Sequence, residues 1–289
     1  MKKLFDKLDL QVVLSRINEV HCGVLKIIKR YRNSLHSCGM TTLVKTVAFT
    51  LAETLVVMGI IGVVAALTIP NLNQSTGDRE KVAKLKKVYA NLEDAFGRAT
   101  AVYGPIDEWF INLPEDTTEN QRLADRMTEF MKISKNCGGD VSGCFPEDDY
   151  KTLDDDTDES PIKWVDEPMY LLADGTAIDF WIHSKDCSDT SGQLSEFCGV
   201  IYIDIDGVKG SNTIGKDFFS FFIAKSGIYP EGAQIIIDNT TNYGKDCFRY
   251  GGACAAWVID MGNMDYLKAD RNGKCPNGTT LSVDNPTCK

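Results

Sequence analysis

Between Thr54 and Gly77 the chain runs for 24 residues without a charged side chain, and residues 55–67, LVVMGIIGVVAAL, carry no polar side chain at all. Such a segment has few ways to exist: in a core, in a bilayer, or as a leader that is cut away. Taken as one helix, 24 residues span about 36 Å, against about 30 Å for a hydrocarbon core, which predicts a transmembrane helix. A secretory signal peptide would end at a small-residue site such as Ala65-Ala66, but the helical pattern continues past that point.

The charge distribution gives this segment a direction. Residues 1–48 hold nine Lys/Arg and three Asp/Glu, whereas the remaining 241 residues hold 22 and 38. A basic head before an acidic body predicts a cytoplasmic N-terminus and an external body by the positive-inside rule. The 4–31 stretch is amphipathic and ends in the basic flank Lys26-Ile-Ile-Lys29-Arg30-Tyr31-Arg32. The acidic body would repel nucleic acid, so no direct nucleic-acid binding is expected. With 43% hydrophobic and 25% charged residues in 289, the chain is neither disordered, collagen-like nor a multi-span membrane protein.

One carboxylate, Glu53, sits at the start of the apolar run, in AFTLAETLVVMGIIGVVAALTIP. With Phe49, Thr50, Leu51, the run Leu55–Ile69 and Pro70 closing it, this segment resembles the prepilin-type N-terminus of type IV pilins and type II secretion pseudopilins. The resemblance covers residues 45–103. It implies cleavage by a prepilin peptidase between Ala48 and Phe49, methylation of the new Phe49 amine, and a role for Glu53 in assembly through the amine of a neighbouring subunit. Ala48 stands where the family usually has Gly. Met40 offers a second start that would give the leader MTTLVKTVA, nearer the family's common length.

Beyond the run, Val82, Leu85, Val88, Leu92, Phe96, Ala99 and Tyr103 recur every three or four residues, which predicts an amphipathic helix continuing to Gly104-Pro105. A second helix is expected from Thr118 to Ser134, with Thr118 and Gln121 as a capping box. Strand patterns follow: a hairpin over 170–182 turning at Asp174-Gly175, then 200–205, 218–223 and 233–237. Residues 253–267 read as a short helix or helical turns. The expected fold is therefore α+β and pilin-like: a long N-terminal helix, transmembrane in its first half, packed on a small antiparallel sheet head. The expected organisation is a leader at 1–48, a membrane or filament-core helix at 49–77, and an amphipathic helix with a disulfide-rich head at 78–289.

Eight of the ten cysteines follow the expected cut: Cys137, Cys144, Cys187, Cys198, Cys247, Cys254, Cys275 and Cys288. An even set on the outer side predicts disulfides in an oxidising compartment, and the clustering favours pairing each cysteine with its next neighbour out of 105 possibilities. Zinc is disfavoured, since no pair has C-x-x-C spacing and the only His of the head is His183.

The stretch from Gly210 to Asp217 nearly spells a phosphate-binding loop, but Asp217 replaces the hydroxyl residue and a strand pattern follows where a helix is needed. In the same loop Asp204, Asp206, Asn212 and Asp217 are candidate oxygen ligands for Ca²⁺, against the simpler reading of an Asp-Gly turn. The acidic run Asp154–Glu159 reads as a solvated loop. No nucleophile, base and orienting acid can be assembled around one His, so no enzymatic activity is expected.

These features predict a structural subunit cleaved by prepilin peptidase and built, with other pilin or pseudopilin subunits and an inner-membrane assembly machinery, into a type IV pilus or a type II secretion pseudopilus. It would sit as a single-pass inner-membrane precursor with a periplasmic head before reaching the filament. The alternative is a membrane-anchored external binding protein or adhesin.

Overall fold

The computed structural model describes residues 51–147, 149–154, 168–210, 212–233 and 246–288, with the side chains of 51–54 and 65–76 left aside. The chain divides into two units, Met1–Ile60 and Ile61–Lys289. In the first, residues 51–60 are helical and the side chains of 55–60 are exposed.

The second unit is organised by an antiparallel sheet of seven strands. They are β1 (Ile133–Gly138), β2 (Met169–Leu172), β3 (Ala177–Ile182), β4 (Asp189–Ser191), β5 (Leu194–Asp204), β6 (Phe218–Ala224) and β7 (Gly227–Pro230). The order is β1-β2-β3-β5-β6-β7, with β4 folded back onto β5. Register follows the pleat. Phe180 faces Ile201 across β3–β5, and Ile201 faces Phe221 across β5–β6. Alternate residues point to opposite sides. Ile178, Phe180, Ile201, Ile203, Phe219, Phe221 and Ile223 belong to one core, and Ala177, Val200, Tyr202, Phe218 and Phe222 to a second.

Helix α1 is Leu51–Tyr103. From Val82 onwards its apolar stripe, Val82, Leu85, Val88, Leu92, Phe96 and Ala99, is buried in the first core. Tyr89 stacks on Phe221 at 5.4 Å and donates its hydroxyl to the Ile228 carbonyl at 3.2 Å. The helix stops at Gly104, whose φ of 81° suits a residue without a Cβ. Helix α2 (Glu119–Thr128) is capped by Thr118, whose side chain accepts from the Gln121 N–H. It ends six residues earlier than the periodicity suggests, because Ile133 onwards pairs with β2. Helix α3 (Cys254–Met261) buries Ala255, Trp257 and Val258, and a 3-10 turn follows at Asp265–Lys268.

Two expectations are corrected here. The architecture is not a small sheet carried by a membrane helix; a mostly antiparallel seven-stranded sheet with few helices dominates it. Among the described residues, no helix is long and apolar enough to cross a membrane. The physical reason is visible in the run itself. Lack of charge is not apolarity: Thr68, Asn71, Asn73, Gln74, Ser75 and Thr76 make up half of its last twelve residues. The wholly apolar part, 55–67, is about 20 Å as a helix, short of a hydrocarbon core of about 30 Å. The expected single-pass inner-membrane topology is corrected on that ground: no described helix supplies the span.

Four disulfides join Cys137–Cys144, Cys187–Cys198, Cys247–Cys254 and Cys275–Cys288. They are compatible with an extracellular location. The leader 1–48, the amphipathic 4–31 stretch, most of the 233–237 strand and most of the 154–159 acidic run lie outside the described residues.

Candidate functional site

The aspartates that the sequence places around residue 210 do come together, at the end of β5 and the start of β6. Asp204 closes β5 and Asp217 immediately precedes β6, and both are fully buried. Asp204 accepts from the Asp206 N–H at 2.8 Å and from the Tyr150 hydroxyl. Thr213 N–H lies 3.3 Å from the second oxygen of Asp217. The carbonyl of Asp217 accepts from Ile205 N–H at 2.9 Å, so the loop is closed by backbone as well.

The residue that organises this cluster comes from elsewhere. Lys81, on α1, extends its ammonium between Asp206, at 2.8 Å, and Asp217. One turn on, Lys84 donates to the Ile205 carbonyl. A buried carboxylate needs a charge partner or several donors. Here an internal ammonium supplies the positive charge, at the place where the sequence suggests Ca²⁺. Asn212, the fourth expected ligand, keeps its side-chain oxygen buried without a partner. Among the described residues, no group of three or more carboxylate, histidine or cysteine side chains is placed to hold a metal ion.

Burial raises the Asp204 carboxyl to about 7, with the charge of Asp217 acting in the same direction against the hydrogen bonds from Tyr150 and Asp206 N–H. Burial likewise pushes the Tyr150 phenol well above its usual range, with Asp204 beside it. For Lys81, burial opposes the charge, but the bonds to Asp206 and Asp217 outweigh it and raise its pKa. Asp78, one turn before Lys81, is raised by partial burial. This is a charged latch between helix and sheet, and it offers no nucleophile–base pair.

The loop's outer side is held by the C-terminal segment. Tyr266 donates to the Gly215 carbonyl at 2.6 Å. Gly215 and Gly251 meet backbone to backbone, with φ of 80° and 87°. A Cβ on Gly251 would lie 2.1 Å from the Ile214 carbonyl oxygen. The Gly210–Asp217 stretch leads into β6 rather than a helix, so the helix N-terminus that a phosphate loop requires is absent there.

The other expected site residues are dispersed. Ala48 and Phe49 lie outside the described residues, and Glu53 lies in α1 with its side chain not described. His183 stands half-exposed between Trp181, at 5.2 Å, and Phe197, at 5.8 Å, and pairs with Asp189 at 3.2 Å. No sequence signal marks Lys81 as the partner of the aspartates, since they are more than a hundred residues apart. The start of the amphipathic helix carries Lys81, Lys84, Lys86 and Lys87, and periodicity says only that they avoid the apolar stripe.

The eight large apolar side chains of residues 55–64 form the second feature. Leu55, Val56, Val57, Met58, Ile60, Ile61, Val63 and Val64 are each between 52% and 71% exposed. No family model matches the chain, and neither a curated protein nor a solved structure matches it.

Proposed function

We propose that the chain is a structural subunit of the pilin type, cut between Ala48 and Phe49 by a prepilin peptidase and assembled through its N-terminal helix into a type IV pilus or type II secretion pseudopilus. The observation that supports this reading is the exposure of the apolar side chains at 55–64 on a helix. A helix greasy on all sides has no stable place in water and must be covered. Copies of the same helix, packed side by side, cover it on every side at once. Glu53 then takes the methylated Phe49 amine of a neighbour as its partner, because a carboxylate left unpaired in such a core costs several kcal/mol. The subunit performs no reaction; the Lys81 latch and the four disulfides serve its rigidity.

Mass spectrometry of the N-terminal peptide from filament fractions tests this. Phe49 with a methylated amine is the expected terminus. An intact leader, or a terminus beyond Ala66, overturns the reading. Replacing Glu53 by Leu is expected to leave cleavage intact and abolish or sharply reduce filaments. Normal filaments from Glu53→Leu would remove the proposed Glu53–Phe49 contact.

A further inference from the structure

In a chain with 41 acidic and 31 basic side chains, a half-buried cation without a carboxylate is unexpected. Lys81, Lys87, Arg98, Lys225, Arg249 and Lys268 each have one within 4 Å. Among the described half-buried cations Lys84, Lys216, Arg122 and Arg126 do not; Lys84 donates instead to the Ile205 carbonyl, whereas Arg122 and Arg126 each keep a sealed donor with no acceptor. They stand four positions apart on α2, so their side chains share one face. The Arg126 guanidinium lies 4.6 Å from the Tyr103 ring centroid and 5.3 Å from that of Trp109, at the end of α1. Trp109 itself is fixed by burial and by its indole N–H, which donates to the Gly104 carbonyl at 2.8 Å.

The nearby acids are occupied elsewhere. Asp125 accepts from Gln121 at 2.7 Å, and Glu129 accepts from the Tyr103 hydroxyl. Arg122 Nε and Arg126 Nη1 are sealed from solvent with no acceptor. Each guanidinium has therefore lost water on its inner side without gaining an oxygen. Burial and the charge of Arg122 together hold the Arg126 pKa below its usual value, as two adjacent cations without a counter-ion require.

We propose that Arg122 and Arg126 form an oxyanion site that takes a carboxylate or phosphate group across the two guanidiniums. The rings of Tyr103 and Trp109 hold one of them in place before the ligand arrives. Planar forks of this kind match the two oxygens of such a group, and preorganisation reduces the entropy lost on binding. The site is independent of the filament reading.

Calorimetric titration of the full-length chain tests it, with inorganic phosphate in one arm and acetate in the other, at ionic strength held constant with sodium chloride. Saturable binding of one anion per chain is expected. Arg122→Gln and Arg126→Gln should each weaken it by about tenfold, since each removes a charge-assisted hydrogen bond, whereas Lys132→Gln should leave it unchanged. Saturation by phosphate alone assigns a phosphate-bearing ligand, and saturation by acetate a carboxylate. Near-UV circular dichroism checks that Trp109 keeps its packing in Arg126→Gln; Arg122→Gln, which touches neither ring, keeps the test decisive if it does not. No saturation by either anion, or equal binding by both arginine variants and the parent chain, overturns the proposal.

Discussion

Lys81 carries its ammonium from helix α1 to the fully buried carboxylate of Asp217, 136 positions later in the chain. The pair ties a helix to the start of β6 and fixes the loop that leaves β5. Because Asp217 has no exposure at all, its charge cannot fall back on water when the ammonium is removed.

Lys81→Met is therefore expected to lower unfolding stability by about 3–5 kcal/mol, the range for breaking a buried pair by removing one partner. Lys87→Met is the control. Its pair with Asp174 at 3.0 Å has a lysine that is 61% exposed, and exposed pairs contribute about 0–1 kcal/mol. Urea unfolding of both variants separates the two outcomes. Equal small losses would show that the remaining partners of Asp217, Thr213 N–H among them, meet its charge without Lys81.

Asp204 predicts an unusual pH profile. Its carboxyl is ordinary in the unfolded chain and raised to about 7 in the folded one. Between about pH 4 and 7 the folded state holds a proton that the unfolded state has lost. The contribution is thus fully present at low pH, declines as pH rises through this window, and levels off above it, by an amount on the order of 4 kcal/mol. Asp204→Asn preserves an acceptor for Asp206 N–H and an amide for Tyr150, and removes the titration. Its stability should be flatter than that of the parent chain from pH 4 to 8 by chemical unfolding. Parallel slopes would place the titration elsewhere.

Gly251 offers a backbone test of the same region. An alanine there meets both a positive φ and the Ile214 carbonyl oxygen. Gly251→Ala should cost at least about 2 kcal/mol, from left-handed backbone strain together with separation of the two strands of backbone. Gly278→Ala has φ of 86° but nothing near its Cβ, so it should lose only the conformational part, about 1–2 kcal/mol. A thermal unfolding comparison suffices.

What the sequence makes legible is local. The Thr118–Gln121 cap, the Asp174-Gly175 turn and the apolar runs of β5 and β6 each lie within a few residues of their own cause. The strands that escape notice lack that pattern. In β1, Ser134, Lys135 and Asn136 are exposed in succession at the sheet edge; β4 has three residues; and β7 has four and closes on Pro230. The aspartates around residue 210 are readable as a cluster because they are adjacent, whereas their Lys81 partner is set by tertiary packing. The 24-residue run misleads because counting charges overlooks the uncharged polar side chains between Thr68 and Thr76. The Arg122–Arg126 pair has the spacing of an ordinary helix surface, and only its unmet donors distinguish it.

The four disulfides span 7, 11, 7 and 13 residues, and each cysteine's partner is its next cysteine along the head. Loop closure is cheapest for the shortest loops, so random collisions in the reduced chain already favour the native pairs. Oxidation can then run ahead of the sheet, whose β1–β2 and β3–β5 pairings reach much further along the chain. The covalent connectivity of the head is thus the one that nearness along the chain already favours.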